Sequence, residues 1–179
     1  MRQRLFLPVL IVGILFLGTA CARSSGLLKP GDRIGDMVVV KATPDAYRVW
    51  DHCKIPPDTP DPRPPGTYSF NCQVPPRKVL WINEGWYAKD QQTRDDNWRT
   101  FTFEMYIDDR QVDLEAFGTI DGARPDGASY REFNLALENA SGKHIIRLVH
   151  RMKEDVFDGY GTYKAGTYDT LENFTVTSE

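Results

Sequence analysis

The tightest constraint in this sequence is a run of strict alternation. Phe101, Phe103, Met105 and Ile107 alternate with Thr102, Glu104 and Tyr106, which is the period of a strand with one face in a core and one in water. Asp108-Asp109 follows as a turn, and Val112 and Leu114 alternate on the return. A two-residue turn sets Met105 opposite Val112 and Phe103 opposite Leu114. A four-residue turn changes the partners but keeps the same faces together. Both registers produce one apolar face, which a second layer has to cover.

Further segments supply that layer. Met37–Val40 is a β-branched run and the expected first strand, with a second from Tyr47 to Trp50 and a third from Arg77 to Ile82. Phe133, Leu135 and Leu137 alternate up to Asn139-Ala140-Ser141-Gly142, and Ile146 and Leu148 follow, which reads as a second hairpin. A last strand is expected over Thr170–Thr177 with Phe174 and Val176 on one face. Residues 83–99 are polar with Trp86, Tyr87 and Trp98 embedded, and read as a long loop or a short helix. No apolar helix of four turns, internal repeat or heptad is present. Short alternating strands joined by Gly, Pro, Asp and Asn turns make a β-sandwich.

Between Cys53 and Cys72 lie 18 residues, of which six are proline. Proline has no N–H to give a central ladder, so residues 54–71 should form an extended, polyproline-like surface loop. One reading is a protruding recognition loop. The other, which needs less, is an insertion stiffened by proline and stapled by a Cys53–Cys72 bond.

The N-terminus has a different logic. Arg2 and Arg4 precede an apolar run from Leu5 to Leu17, followed by Gly18, Thr19 and Ala20. These are the charged, apolar and small-residue regions of an export signal, and the run falls short of the roughly 20 apolar residues a membrane span needs. Leu17-Gly18-Thr19-Ala20-Cys21 resembles a bacterial lipobox, with Gly18 where that family favours Leu. The resemblance implies cleavage before Cys21 and a diacylglyceryl group, with palmitate-type acyl chains, on its sulfur. Cleavage after Ala22 is the rival and would give a secreted, lipid-free product. The cysteine count favours the first. Acylation of Cys21 leaves Cys53 and Cys72 as a pair, which an oxidising exported compartment preserves.

The expected organisation is a signal peptide over 1–20, a tether over 21–33 and one domain over 34–179. Removing residues 1–20 leaves 159 residues, a single-domain length. Losing Arg2 and Arg4 takes the charge from −3 to −5, with 20 basic against 25 acidic residues. No basic stripe points to nucleic acid. The stretch Thr100–Met152 also resembles bacterial immunoglobulin-like modules, through the Asp108-Asp109 turn and Gly142-Lys143-His144 leading into Ile146 and Leu148. The fold expected is therefore all-β: an immunoglobulin-like antiparallel β-sandwich with long loops, behind an export signal.

Chemistry is harder to find. His52, His144 and His150 lack metal-enzyme spacing. On one strand His144 and His150 would stand about 20 Å apart. Asp90, Asp95 and Asp96 do not make an EF-hand loop. No nucleophile elbow or phosphate-binding glycine loop occurs, so neither a catalytic constellation nor a cofactor or metal is expected. Trp86, Tyr87 and Trp98 are the candidate ligand contacts, since flat rings stack on sugars or anchor a partner. They would serve equally as plugs for the open end of a sandwich. The leading expectation is a non-catalytic, lipid-anchored surface module that binds an envelope protein or glycan. The alternative is an envelope-polymer hydrolase with paired carboxylates drawn from Glu84, Asp95, Asp96 or Glu104. A structural spacer with a filled core and no pocket is a third.

Overall fold

A computed structural model describes residues 26–176. Cys21 and the expected export signal lie outside them. The chain is a two-layer β-sandwich, with strands numbered in chain order. One layer is a six-stranded sheet in the order β4 (Cys53–Lys54), β5 (Gly66–Val74), β16 (Gly166–Val176), β13 (Gly142–Met152), β8 (Phe101–Ile107) and β9 (Arg110–Gln111). The facing layer is split. One part orders β1 (Arg33–Ile34), β2 (Met37–Val40), β12 (Ala136–Glu138), β6 (Val79–Trp81) and β3 (Tyr47–Arg48); the other orders β10 (Thr119–Ala123), β11 (Ser129–Phe133) and β7 (Gly85–Ala88). A small hairpin, β14 (Val156–Phe157) with β15 (Thr162–Tyr163), stands beside them. Strands β8, β13 and β16 facing β6/β7, β11/β12 and β10 reproduce the C-F-G against B-E-D order of immunoglobulin-like sandwiches. The ladders are antiparallel except β16 with β5 and β3 with β6, which are parallel.

The first hairpin forms with the two-residue turn. Tyr106 pairs Gln111, Ile107 pairs Arg110, and the Val112 amide donates to the Met105 carbonyl at 2.9 Å. Asp108 and Asp109 sit at φ 47° and 62°, the left-handed pair that a type I′ turn requires. Leu114 leaves the strand and opens a short helix, Leu114–Phe117.

The second expected hairpin does not exist. β12 pairs β2 and β6, whereas β13 pairs β16 and β8. The Asn139–Gly142 turn carries the chain from one layer to the other. Both flanking strands bury their alternate residues, Leu135 and Leu137 on one side and Ile146 and Leu148 on the other, so the apolar pattern is the same for either connection.

Residues 83–99 are more ordered than a loop. β7 is followed by helix α1 (Gln91–Thr100), capped by Asp90, whose carboxylate accepts from the Thr93 amide at 2.8 Å. The helix is anchored by a polar group. Arg94 is 2% exposed and donates to Ser129 Oγ, the Tyr130 carbonyl, Asp95 and Asp121. The second expected strand ends at Arg48 and passes into a 3₁₀ turn over Trp50–His52. Part of the range expected as a tether, 21–33, is packed into the domain. Leu28 is fully buried, and its backbone bonds to Gln111 and Asp113.

The inner face of the six-stranded sheet changes character along its length. Cys72, Val74, Met105, Ile107, Ile146, Leu148, Phe174 and Val176 form the core with Met37, Val39, Leu80, Ile82, Leu135 and Leu137. Each such side chain stabilises the fold by about 1.5–3 kcal/mol relative to exposure. Beyond Ile146 and Phe174 the same face carries Glu172, Tyr168, His150, Phe101 and Met152. That change falls where the facing layer breaks.

Candidate functional site

The break builds the site. β6 and β7 belong to one run of chain interrupted at Ile82–Glu84, and β11 and β12 to another interrupted at Asn134–Leu135. Backbone bonds still cross it: the Ile82 amide donates to Leu135 and the Phe133 amide to Glu84, both at 2.9 Å. Past the break β7 lies hard against β11. A Cβ on Gly85 would sit 2.1 Å from the Arg131 carbonyl oxygen and 2.6 Å from the Glu132 Cα, so only glycine permits this approach.

Three glutamates meet here from three elements. Glu84 comes from the break, Glu172 from the inner face of β16, opposite Ile146 and Phe70, and Glu132 from β11, opposite Gly85. The Glu84 and Glu172 carboxyls are close enough for each to act on the other's ionisation. Burial is the main force raising both above the ordinary carboxyl range. In Glu172, which is 2% exposed, the neighbouring Glu84 adds to the rise. Two carboxyls this close out of water cannot both ionise, so the pair shares a proton. Glu132 is also raised by burial, against the opposing pull of Arg48, whose Nη2 donates to its Oε1 at 2.8 Å.

A two-lobed cleft opens over these acids. One lobe, about 130 Å³, is lined by Arg48, Trp50, Asn83, Arg124, Tyr130 and Glu132 among others. The second, about 100 Å³, is lined by His150, Met152, Tyr163 and Tyr168 among others. Both lobes share Arg63, Glu84, Gly85, Trp86, Tyr87 and Thr170. His150 lies among Phe101 at 4.5 Å, Phe103 at 4.6 Å, Trp86 at 5.6 Å and Tyr168 at 5.9 Å. Burial, helped by the Arg63 charge, lowers its pKa to about 3, so the ring is neutral at ordinary pH.

The Pro-rich loop forms one wall. Cys53 and Cys72 are disulfide-bonded and face each other across β4 and β5. The loop expected over 54–71 is shorter than that: Lys54 pairs in β4 and residues 66–71 belong to β5, because all six prolines fall before Gly66 and leave that stretch its N–H donors. The remaining residues 55–65 fold inward, with Pro62 against Gly161 and Pro65 against Gly166. This brings Arg63 over the rings of Tyr68 and Phe70, at 5.2 and 5.4 Å.

The expected contact residues divide. Trp86 lines both lobes, 9% exposed, edge-on to Phe101 and Tyr163. Tyr87 lines both, with the Arg124 guanidinium 4.6 Å above its ring. Trp98 lines neither lobe. It packs on Phe103 and Phe133 beneath Arg131, where it fills the sandwich. Of the candidate acids only Glu84 reaches the cleft. Asp95 is ion-paired with Arg94 and Arg131, Asp96 with Arg99, and Glu104 with Arg151 on the outer face of β8. Among the described residues no group of three His, Cys, Asp or Glu side chains is placed to hold a metal ion.

No family model, curated protein or solved structure matches this chain.

The site residues that sequence reasoning missed are Arg48, Arg63, Arg124, Glu132, His150 and Glu172. Glu172 carried a readable signal. It has the same strand parity as Phe174 and Val176, so a carboxyl falls where the alternation calls for an apolar side chain.

Proposed function

We propose that this protein is a lipid-anchored, extracytoplasmic module that binds an envelope glycan in the two-lobed cleft. One observation carries the reading. Trp86 Nε1, Glu132 Oε2 and His150 Nε2 are buried polar atoms without a hydrogen-bond partner, and all three belong to residues lining this cleft. A buried unsatisfied group costs about 1–3 kcal/mol, and three of the five such atoms among the described residues belong to the lining of this cleft, so the fold gives up stability to keep polar groups beside the opening. Sugar hydroxyls both donate and accept, and the flat faces of the cleft's aromatic residues suit a sugar ring. An apolar partner would leave the same atoms unpaired.

The test is calorimetric titration of the full chain in detergent with envelope oligosaccharides. Trp86→Phe keeps the aromatic packing and removes one N–H, and should weaken binding about 10-fold for a loss of roughly 1.4 kcal/mol. Trp98→Ala should leave affinity unchanged. Unaltered binding by Trp86→Phe refutes the cleft. The anchor is tested separately: Cys21→Ser should abolish lipid labelling and membrane retention.

The hydrolase reading keeps one support, the upward displacement of the Glu84 carboxyl by burial beside the cleft. The electrostatics support it less. Glu84 and Glu132 are both displaced upward, whereas an acid and its partner base need environments that push their pKa values apart. Turnover of an envelope polymer that Glu84→Gln abolishes would establish the hydrolase instead.

A further inference from the structure

Three arginines line the larger lobe, and they are not equivalent. Arg48 is fully engaged. It pairs with Glu132 at 2.8 Å and Asp51 at 3.4 Å, and it stacks on Trp81 at 4.8 Å. Arg63 and Arg124 have no such partners. Each guanidinium lies over aromatic rings, Arg63 over Tyr68 and Phe70 and Arg124 over Tyr87, and among the described residues neither has a carboxylate within 4.0 Å. Stacking uses only the flat face of a guanidinium. Its five N–H donors lie in the plane and stay available as a fork that matches an oxyanion.

The distribution of charge gives this a direction. The lobe carries three guanidinium charges. Against them stand Asp51, Glu132 and the single charge left on the Glu84–Glu172 pair, so the sum is near zero. The signs are layered, however. Glu132 and Glu172 are 7% and 2% exposed, on the floor, whereas Arg124 is exposed and Arg63 half-buried at the wall. Arg63 is also held in advance, by the disulfide and by prolines on both sides of it. Little ordering is then left for binding to offset. A ligand entering the cleft meets two unpaired, positioned cations before it meets the acids.

We propose that the glycan is acidic: a sugar whose oxyanion is clamped between Arg63 and Arg124 while its hydroxyls face Glu84 and Glu132. This rests on the glycan-binding reading and narrows it to a substrate class. A carboxylate and a phosphate ester present the same chemistry to a guanidinium, and the probes separate them.

The experiment titrates the full chain in detergent with a tetragalacturonate, the same tetramer with its carboxyls reduced to alcohols, and a phosphorylated oligosaccharide. The expected result is at least 10-fold tighter binding of one acidic probe than of the neutral tetramer, with an advantage that shrinks between 50 and 300 mM salt. Arg63→Gln and Arg124→Gln should each erase most of that advantage, weakening the acidic probe far more than the neutral tetramer. Arg63→Lys keeps the charge but not the fork, and should fall between. Its melting temperature controls for loss of fold. Equal affinity for acidic and neutral tetramers overturns the acidic-sugar inference and leaves glycan binding standing. Binding of no sugar at all overturns both. Preference for a free amino acid or peptide terminus, with its ammonium on the carboxyls, also overturns it.

Discussion

The shared proton on the Glu84–Glu172 pair has a measurable cost. In the unfolded chain both carboxyls lose their protons near the ordinary value of 4.5. In the fold the pair retains one proton well above it. Over that interval the native state binds the extra proton, so stability falls as pH rises, by about 1.4 kcal/mol per pH unit. His150 acts in the opposite sense. Its folded pKa of about 3 lies below its ordinary 6.5, so the unfolded state binds the extra proton and stability rises between those values at up to the same slope. From pH 4.5 to 6.5 the two effects oppose each other in the wild type. Glu172→Gln removes one of them and supplies an N–H that the Glu84 carboxylate can accept. The mutant minus wild-type difference should therefore start near zero at pH 4.5 and climb to at most about 3 kcal/mol in the mutant's favour by pH 6.5. His144, Glu132 and the lowered aspartates are common to both proteins and drop out. Urea unfolding followed by tryptophan fluorescence at pH 4.5, 5.5 and 6.5, with the disulfide oxidised, reads this as a midpoint gain of about 1–2 M at the upper pH. A difference that stays flat across the range, or favours the wild type more as pH rises, refutes the shared proton.

Gly85→Ala forces a methyl into the β7–β11 ladder at the Arg131 carbonyl. It should cost about 3 kcal/mol, the upper end for overpacking, with amide exchange accelerated first at β7 and β11. Replacing Cys53 and Cys72 with serine frees a loop of sequence separation 19 and should cost about 3 kcal/mol by chain entropy. Because six prolines already restrict the unfolded loop, a smaller loss in the urea midpoint is expected, together with weaker ligand binding through a less ordered Arg63. Binding that survives reduction unchanged would remove the loop from the site.

Local chemistry was legible, and layer assignment was not. The Asp108-Asp109 hairpin was legible because the alternation on both sides keeps the same apolar faces together in either register, although the turn length stayed open. Asn139–Gly142 misled because a strand buried on one face looks the same whether its turn stays in the sheet or crosses the sandwich. Helix α1 was ambiguous because polar residues hold it: the Arg94 network and the buried Asn97 amide on the Phe157 carbonyl leave no apolar stripe to read. Its Asp90 cap, three residues before Thr93, was the signal that resolves it.

The carboxyl pair was hidden for a stronger reason. Glu84 and Glu172 meet only because one layer breaks at Asn83–Glu84 while the other runs on unbroken through β16, and a break in one layer leaves no periodic trace in the other. Yet each violates its own surroundings. Glu172 occupies an inward position on a strand that Phe174 and Val176 continue, and Glu84 follows the buried Trp81, Ile82 and Asn83. Stability alone would replace such a pair, since buried ionisable groups are often no better than packed apolar ones. A fold whose other inward positions obey the pattern keeps two buried glutamates and a half-buried third, a neutral histidine and an unpartnered indole N–H around one cleft. Local rules fail together where a site is being held, and that concentration separates this cleft from the ion-paired acids on the surface.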